Sequence, residues 1–176
     1  MIIREEFAED ITLIRTVVTE AFRAASTRPG QVRRPDAGKA EAVIVDGLRA
    51  ANALTLSLAA IEDGDELVGH VAFSPVTIDG KDRGWFGMGP VAVWPERQRN
   101  GVGSKLVRRG LERLREMDAQ GVVVLGDPGY YGRFGFHAHD GLRYPGAPAS
   151  HFMALSFSGA VPSGVVEYHP AFEAAG

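Results

Sequence analysis

No cysteine occurs anywhere in the 176 residues. That excludes disulfide frameworks, thiolate zinc sites and a cysteine nucleophile. There is no excess of positive charge either: 19 Lys and Arg stand against 22 Asp and Glu, a formal net charge of -3 with a sequence pI of about 5.9. Nucleic-acid binders normally carry the opposite bias, so nucleic acid is not an expected partner. Long apolar runs are also missing. Nothing approaches the roughly 20 apolar residues of a membrane span, so no membrane is expected. The start, Met1-Ile2-Ile3-Arg4-Glu5-Glu6, lacks the basic region and long apolar core of a secretory signal. A cytoplasmic location is the expectation. Without internal repeat or linker, residues 1–176 read as one domain with a substantial core.

What is present is concentrated between Gly89 and Arg109. Val91-Ala92-Val93-Trp94 is an apolar run of strand-forming residues, and Pro95 stops it. Gln98-Arg99-Asn100-Gly101-Val102-Gly103 turns the chain, and an amphipathic helix starts at Val102. The first turn of a helix leaves its N–H groups unpaired, at the positive end of the helix dipole. Glycines there let an anion approach the backbone. Arg97, Arg99, Lys105, Arg108 and Arg109 add cations. The stretch has the makings of a pyrophosphate cradle.

Other anion-binding motifs fit poorly. A P-loop needs Gly before its Lys, and here Ser104 precedes Lys105. Gly87-Met88-Gly89-Pro90-Val91-Ala92 matches the dinucleotide letters but runs into a strand, not a helix. Gly101-Val102-Gly103 has Leu106 at the third position. What remains is Q-x-x-G-x-G from Gln98 to Gly103. Taken alone, it equally describes an ordinary strand-to-helix turn with glycines.

The periodicities predict a strand over 2–6, a helix over 9–23, and a helix over 39–51 with Ala40, Val43, Ile44, Gly47 and Leu48 on one face. Between the helices, residues 26–39 read as a loop whose Arg28, Arg33 and Arg34 form a small basic cluster, either solvated or in contact with a ligand. Strands over 55–62, 67–78 and 84–94 form a meander joined by Asp63-Gly64-Asp65 and Asp79-Gly80-Lys81. A helix runs from Val102 to about Asp118 and ends by Gly121, its apolar line including Met117. Val122-Val123-Val124-Leu125 is a wholly apolar strand, parallel to the strand before the cradle because one helix connects them. Pro128 opens a short helix, Gly135 closes it and Phe136 begins a strand. Late strands are expected over 151–157 and 165–169.

Two separated features agree. One is Val91-Ala92-Val93-x-Pro95 followed by Gln98-x-x-Gly101-x-Gly103. The other is Tyr131-x-x-x-Gly135-Phe136, within P-x-Y-Y-x-R-F-G-F. Together, and in this order of elements, they resemble the two central motifs of the GNAT superfamily of N-acetyltransferases, in a branch of bacterial acetyltransferases carrying that Tyr-Tyr stretch. The resemblance covers a core of about residues 2–157 and leaves 158–176 as a C-terminal extension. It implies an α/β fold with a mixed, mostly antiparallel sheet flanked by helices, and a parallel strand pair splayed around an acyl-CoA. One departure stands out: many members place an Asn several residues before the Tyr, and Gly126-Asp127-Pro128-Gly129-Tyr130 contains none.

The resemblance further implies acetyl-CoA as acyl donor, no metal, and a primary amine of a small molecule or peptide as acceptor, in a monomer or homodimer. Val91, Ala92 and Val93 would pair with the cofactor's arm, with a backbone N–H near Val91 or Ala92 facing the acetyl oxygen. Gln98, Arg99, Asn100, Gly101, Val102, Gly103 and Ser104 would hold the pyrophosphate. Tyr131 would be the general acid at the sulfur, or else a core aromatic packed on Phe136. The general base stays open among His70, Glu41, Glu62, Asp127 and a chain of waters. A non-catalytic acyl-CoA sensor on the same fold is the alternative function.

Overall fold

The computed structural model describes residues 1–175. Its elements are β1 (Ile2–Glu5), α1 (Ile11–Ser26), α2 (Lys39–Ala50), β2 (Leu56–Glu62), β3 (Glu66–Ile78), β4 (Lys81–Val93), α3 (Val102–Glu116), β5 (Gly121–Leu125), α4 (Pro128–Tyr131), β6 (Leu142–Arg143), β7 (Phe152–Ser156) and β8 (Gly164–Tyr168). A last 3-10 turn spans Pro170–Ala175. The sheet order is β1-β2-β3-β4-β5-β7, and β8 pairs with the far end of β3. Neighbours along the main path are antiparallel except β4 and β5. No helix among the described residues is long and apolar enough to cross a membrane.

Strand alternation sorts the core into layers. Leu56, Leu58 and Ala60 of β2 pack with Leu106, Val107 and Leu114 of α3. Ala59 and Ile61 belong to the opposite layer, with Ile14, Val17 and Val18 of α1 and Val45 of α2. Successive strand residues face opposite sides, so the sheet is sandwiched between α3 and the α1–α2 pair. A third cluster, with Trp85, Val123, Phe152 and Val166, fills the C-terminal end. Residues 158–176, set apart in the sequence, supply β8 to this end of the sheet.

Several local expectations are corrected. Val43 is exposed, while Ala42 and Val45 face the core. Met117 is exposed and lies past the end of α3, and Asp118 rather than Gly121 takes the left-handed turn, at φ +60°. Gly121 is already in β5. Phe136 begins no strand: only an isolated bridge, His137 to Ala154, follows it. Its ring is in the core instead.

The feature that creates the site is where pairing stops. β4 is hydrogen-bonded to β5 only from Trp85 to Gly87, opposite Gly121 to Val123. Pro90 then offers no N–H. Val91 to Val93 stay paired to β3 on their other side, so the β4 edge facing β5 is free.

Candidate active site

On the inner side, Trp94 N–H donates to Val68 carbonyl at 2.8 Å, and His70 stands opposite Ala92. N–H directions alternate along a strand. Ala92 therefore points its N–H toward β3, and Val91 and Val93 turn theirs to the free edge. Of the two residues considered for the acetyl oxygen, Val91 has the available donor. The Val93 carbonyl accepts from Gln98 Nε2 at 3.0 Å, which fixes the Gln98 side chain beneath the start of α3.

That start has the geometry expected of an anion cradle. Gly101 is the N-cap in the left-handed region, φ +82°. The first α-helical bond runs from Lys105 N–H to Gly101 carbonyl at 3.0 Å. The N–H groups of Val102, Gly103 and Ser104 precede it and carry the positive end of the dipole. A Cβ at Gly103 would stand 2.8 Å from the Tyr130 hydroxyl, so a side chain there would displace the ring that closes the cradle from above.

These groups line a cavity of about 600 Å³ together with Arg28, Arg133, Tyr130 and Tyr131. Val91, Val93, Gln98, Arg99, Gly101, Gly103 and Ser104 are all on its wall. Asn100 is not, and the side chains of Ala92 and Val102 are buried in the two core layers instead. Sequence reasoning missed Tyr130 and Arg133 and left Arg28 open between solvent and ligand. Arg28 donates from Nη2 to Gln98 Oε1 at 2.6 Å. Arg133 stacks over the Tyr130 ring at 4.7 Å, and Tyr130 covers Gly103. The spacing of Arg133 within the Tyr-Tyr stretch was a usable signal; for Arg28 the basic cluster in its loop was one, though it did not point to a partner 70 residues away.

Tyr131 stands where α4 meets the gap in the sheet. Its ring is edge-on to Tyr130 at 4.9 Å and to Phe136 at 6.1 Å. Burial pushes its phenol up to about 12, with smaller contributions from Tyr130 and Asp127. A buried phenolate is poorly solvated, so the proton stays on. Packing on Phe136 and exposure to the cavity thus hold together.

A second cavity, of about 310 Å³, also touches Phe22, Val91 and Tyr131. The two therefore meet at the Val91–Tyr131 junction. Met88, Pro90 and Leu125 form one side of the second cavity, and Tyr144, Tyr168 and Phe172 another. Glu41 and Ile44 enter from α2.

The candidate bases are placed unequally. His70 is wholly buried, its Nε2 2.7 Å from Ser57 Oγ and its Nδ1 without a partner. Burial depresses it to about 4. It lies on neither cavity wall, so it is a structural residue of the sheet. Glu62 is held by Arg97 Nε at 2.9 Å, and it too lines neither cavity. Asp127 accepts from Gly129 N–H at 2.9 Å as the cap of α4. Glu41 accepts from Gly38 N–H at 2.7 Å and pairs with Arg34, yet still reaches the second cavity.

Comparison with known proteins is consistent with this geometry. Residues 9–138 match the family model described as an acetyltransferase (GNAT) domain. The chain is 42% identical over 148 residues to the uncharacterized N-acetyltransferase YhbS of Escherichia coli K12, spanning 80% of this chain and 88% of the relative. Among solved structures, a GNAT family acetyltransferase from Brucella melitensis in complex with acetyl-CoA superposes with a TM-score of 0.81 at 47% identity over 97% of both chains. The E. coli YhbS structure in complex with CoA gives 0.83 at 36% identity, covering 98% of this chain and 91% of that one.

Proposed function

The chain belongs to the GNAT family of N-acetyltransferases, and from that premise we propose that it takes the acetyl group of acetyl-CoA directly to a primary amine at the Val91–Tyr131 junction. Acetyl-CoA supplies an acetyl group already activated as a thioester. This chain's residues then have four tasks: to hold the donor, to polarise its carbonyl, to accept the amine, and to assist the departing sulfur.

The N–H groups of Val102, Gly103 and Ser104 and the guanidinium groups of Arg28, Arg99 and Arg133 hold the pyrophosphate. The Val91 N–H donates to the carbonyl oxygen as it gains charge. Tyr131 keeps its hydroxyl proton at neutral pH and donates a hydrogen bond to the sulfur as the C–S bond breaks, the departing thiolate taking its proton from solvent. The amine gives up its proton to water in the second cavity or to Glu41, the carboxylate on that wall. Asp127, engaged as a helix cap, is assigned no proton transfer.

The single observation that carries this assignment is the junction itself. A cradle-bearing cavity and a second cavity share one wall, and that wall holds a free strand edge and a protonated phenol. Relatives solved with acetyl-CoA and with CoA support the choice of donor. Thiol release from acetyl-CoA, measured with and without added amine, tests it. Release that depends on the amine and yields the acetylated amine is expected. Tight acetyl-CoA binding with no release across a broad amine panel would instead indicate a sensor.

A further inference from the structure

The second cavity has a chemistry of its own. At about 310 Å³ it is at the small end of ligand cavities, with room for a single-ring compound with a short chain. Among the described residues its wall carries one carboxylate, Glu41, and no lysine or arginine; Glu41 also pairs with Arg34, which does not line the cavity. One carboxylate matches one ammonium. A second or third cation, as in a polyamine or an aminoglycoside, would find no second carboxylate on this wall. A carboxylate on the acceptor would meet no cation on the wall, Arg34 being already engaged by Glu41.

Besides the aliphatic Ile44, Met88, Pro90, Val91 and Leu125, the wall has an aromatic part that glycines in the backbone accommodate. Tyr144 and Tyr168 stand 5.1 Å apart and 69° inclined, and Tyr168 and Phe172 5.0 Å apart. Rings at such separations make a surface on which another ring packs favourably, and phenol faces attract a passing ammonium. Tyr168 reaches this position because residue 87 is glycine: a Cβ there would come within 2.4 Å of its ring. The turn bearing Phe172 lies close on α2, where a Cβ at Gly47 would meet Ala171 at 3.2 Å. The segment after residue 157 thus supplies two of the three rings, Tyr168 and Phe172.

We infer that the acceptor is a small arylalkyl monoamine, its ring on Tyr144, Tyr168 and Phe172 and its ammonium drawn in by Glu41. This rests on the acetyl transfer proposed above for the same junction. The test has two independent arms. In the first, thiol release is measured with 2-phenylethylamine, spermidine, kanamycin, phenylalanine and a lysine-containing peptide. The value of kcat/KM for 2-phenylethylamine should exceed each of the others by at least about tenfold. Glu41→Gln retains a side chain able to accept from Gly38; it should raise KM for 2-phenylethylamine about tenfold and leave acetyl-CoA affinity unchanged. Preference for spermidine, kanamycin, phenylalanine or the peptide would overturn the inference. In the second arm, calorimetry follows 2-phenylethylamine binding to the CoA-saturated protein, without turnover. Binding that weakens in Tyr168→Ala supports the assignment even if no amine is acetylated, in which case only the transfer proposal fails. No binding to the folded, CoA-loaded protein overturns it.

Discussion

Replacing Tyr131 by Phe removes one oxygen and leaves the ring against Tyr130 and Phe136. With its phenol at about 12, the wild-type residue is ionised in only about one molecule in 10⁴ at pH 8. The donor is therefore always loaded. Full transfer of that proton to a thiolate of ordinary thiol pKa, ~8.5, is uphill by roughly 3 to 4 units. Burial of the thiolate narrows this gap without closing it. The phenol thus acts chiefly as a hydrogen-bond donor that strengthens as negative charge reaches the sulfur. General-acid assistance spans ~10²–10⁴-fold, and the mismatch together with water as a substitute donor favours less. The expected loss in turnover is about tenfold, or about 1.4 kcal/mol of transition-state stabilisation. Stability should hardly move, because only burial and neighbouring charges, and no hydrogen bond, shift this phenol. Acetyl-CoA affinity should also hold, since the contact matters in the transition state. Single-turnover thiol release under saturating amine, with Tyr130→Phe as control, gives the comparison. Wild-type rates in Tyr131→Phe with chemistry limiting would refute the donor role and leave a packing aromatic.

Further outcomes follow from the same structure. Gly103→Val should weaken acetyl-CoA binding more than tenfold by calorimetry, because its Cβ meets the Tyr130 hydroxyl at 2.8 Å; helix propensity does not oppose Val over Gly, so the fold should persist. Arg28→Gln should reduce acetyl-CoA affinity several-fold at low salt and less at high salt, as a screened phosphate contact would; a salt-independent loss would argue for a packing role. Burial holds His70 at about 4, below its unfolded value of about 6.5, so the unfolded chain binds the extra proton first. Stability should fall as pH drops from 6.5 toward 4, by a total on the order of 3 kcal/mol, and level off for this group below that. Denaturant midpoints across this range should show the slope, and His70→Gln should flatten it.

Much of the architecture was legible because local rules and tertiary structure agree. Asp79-Gly80 makes the two-residue turn with both φ values positive, and one intervening helix makes β4 and β5 parallel. Gln98, Gly101 and Gly103 reach one cavity wall because a single short turn carries them. Where legibility failed, the deciding contact was distant in sequence. Val43 fits a helical stripe as well as Ala42 does, and only the placement of α1 and the sheet determines which is covered. Arg28 is one of three loop arginines, solvated or ligand-facing, until the fold brings Gln98 beside it. His70 stands among the possible bases in the sequence, though its strand face already favours a hydrogen-bonded structural role, and the bond to Ser57 and the closed packing around it agree with that. Tyr168 and Phe172 belong to a glycine- and alanine-rich tail whose pattern is weak, and they reach the second cavity only through pairing of β8 with β3.

In the reaction proposed, the acetyl group passes directly from donor to amine at the Val91–Tyr131 junction. Intact-mass spectrometry of the protein during turnover, with isotopically labelled acetyl-CoA and an accepted amine, tests it most directly. Label should appear in the acetylated amine while the protein mass stays unchanged at every time point. An acetylated protein that forms before product and loses its label to the amine would contradict direct transfer.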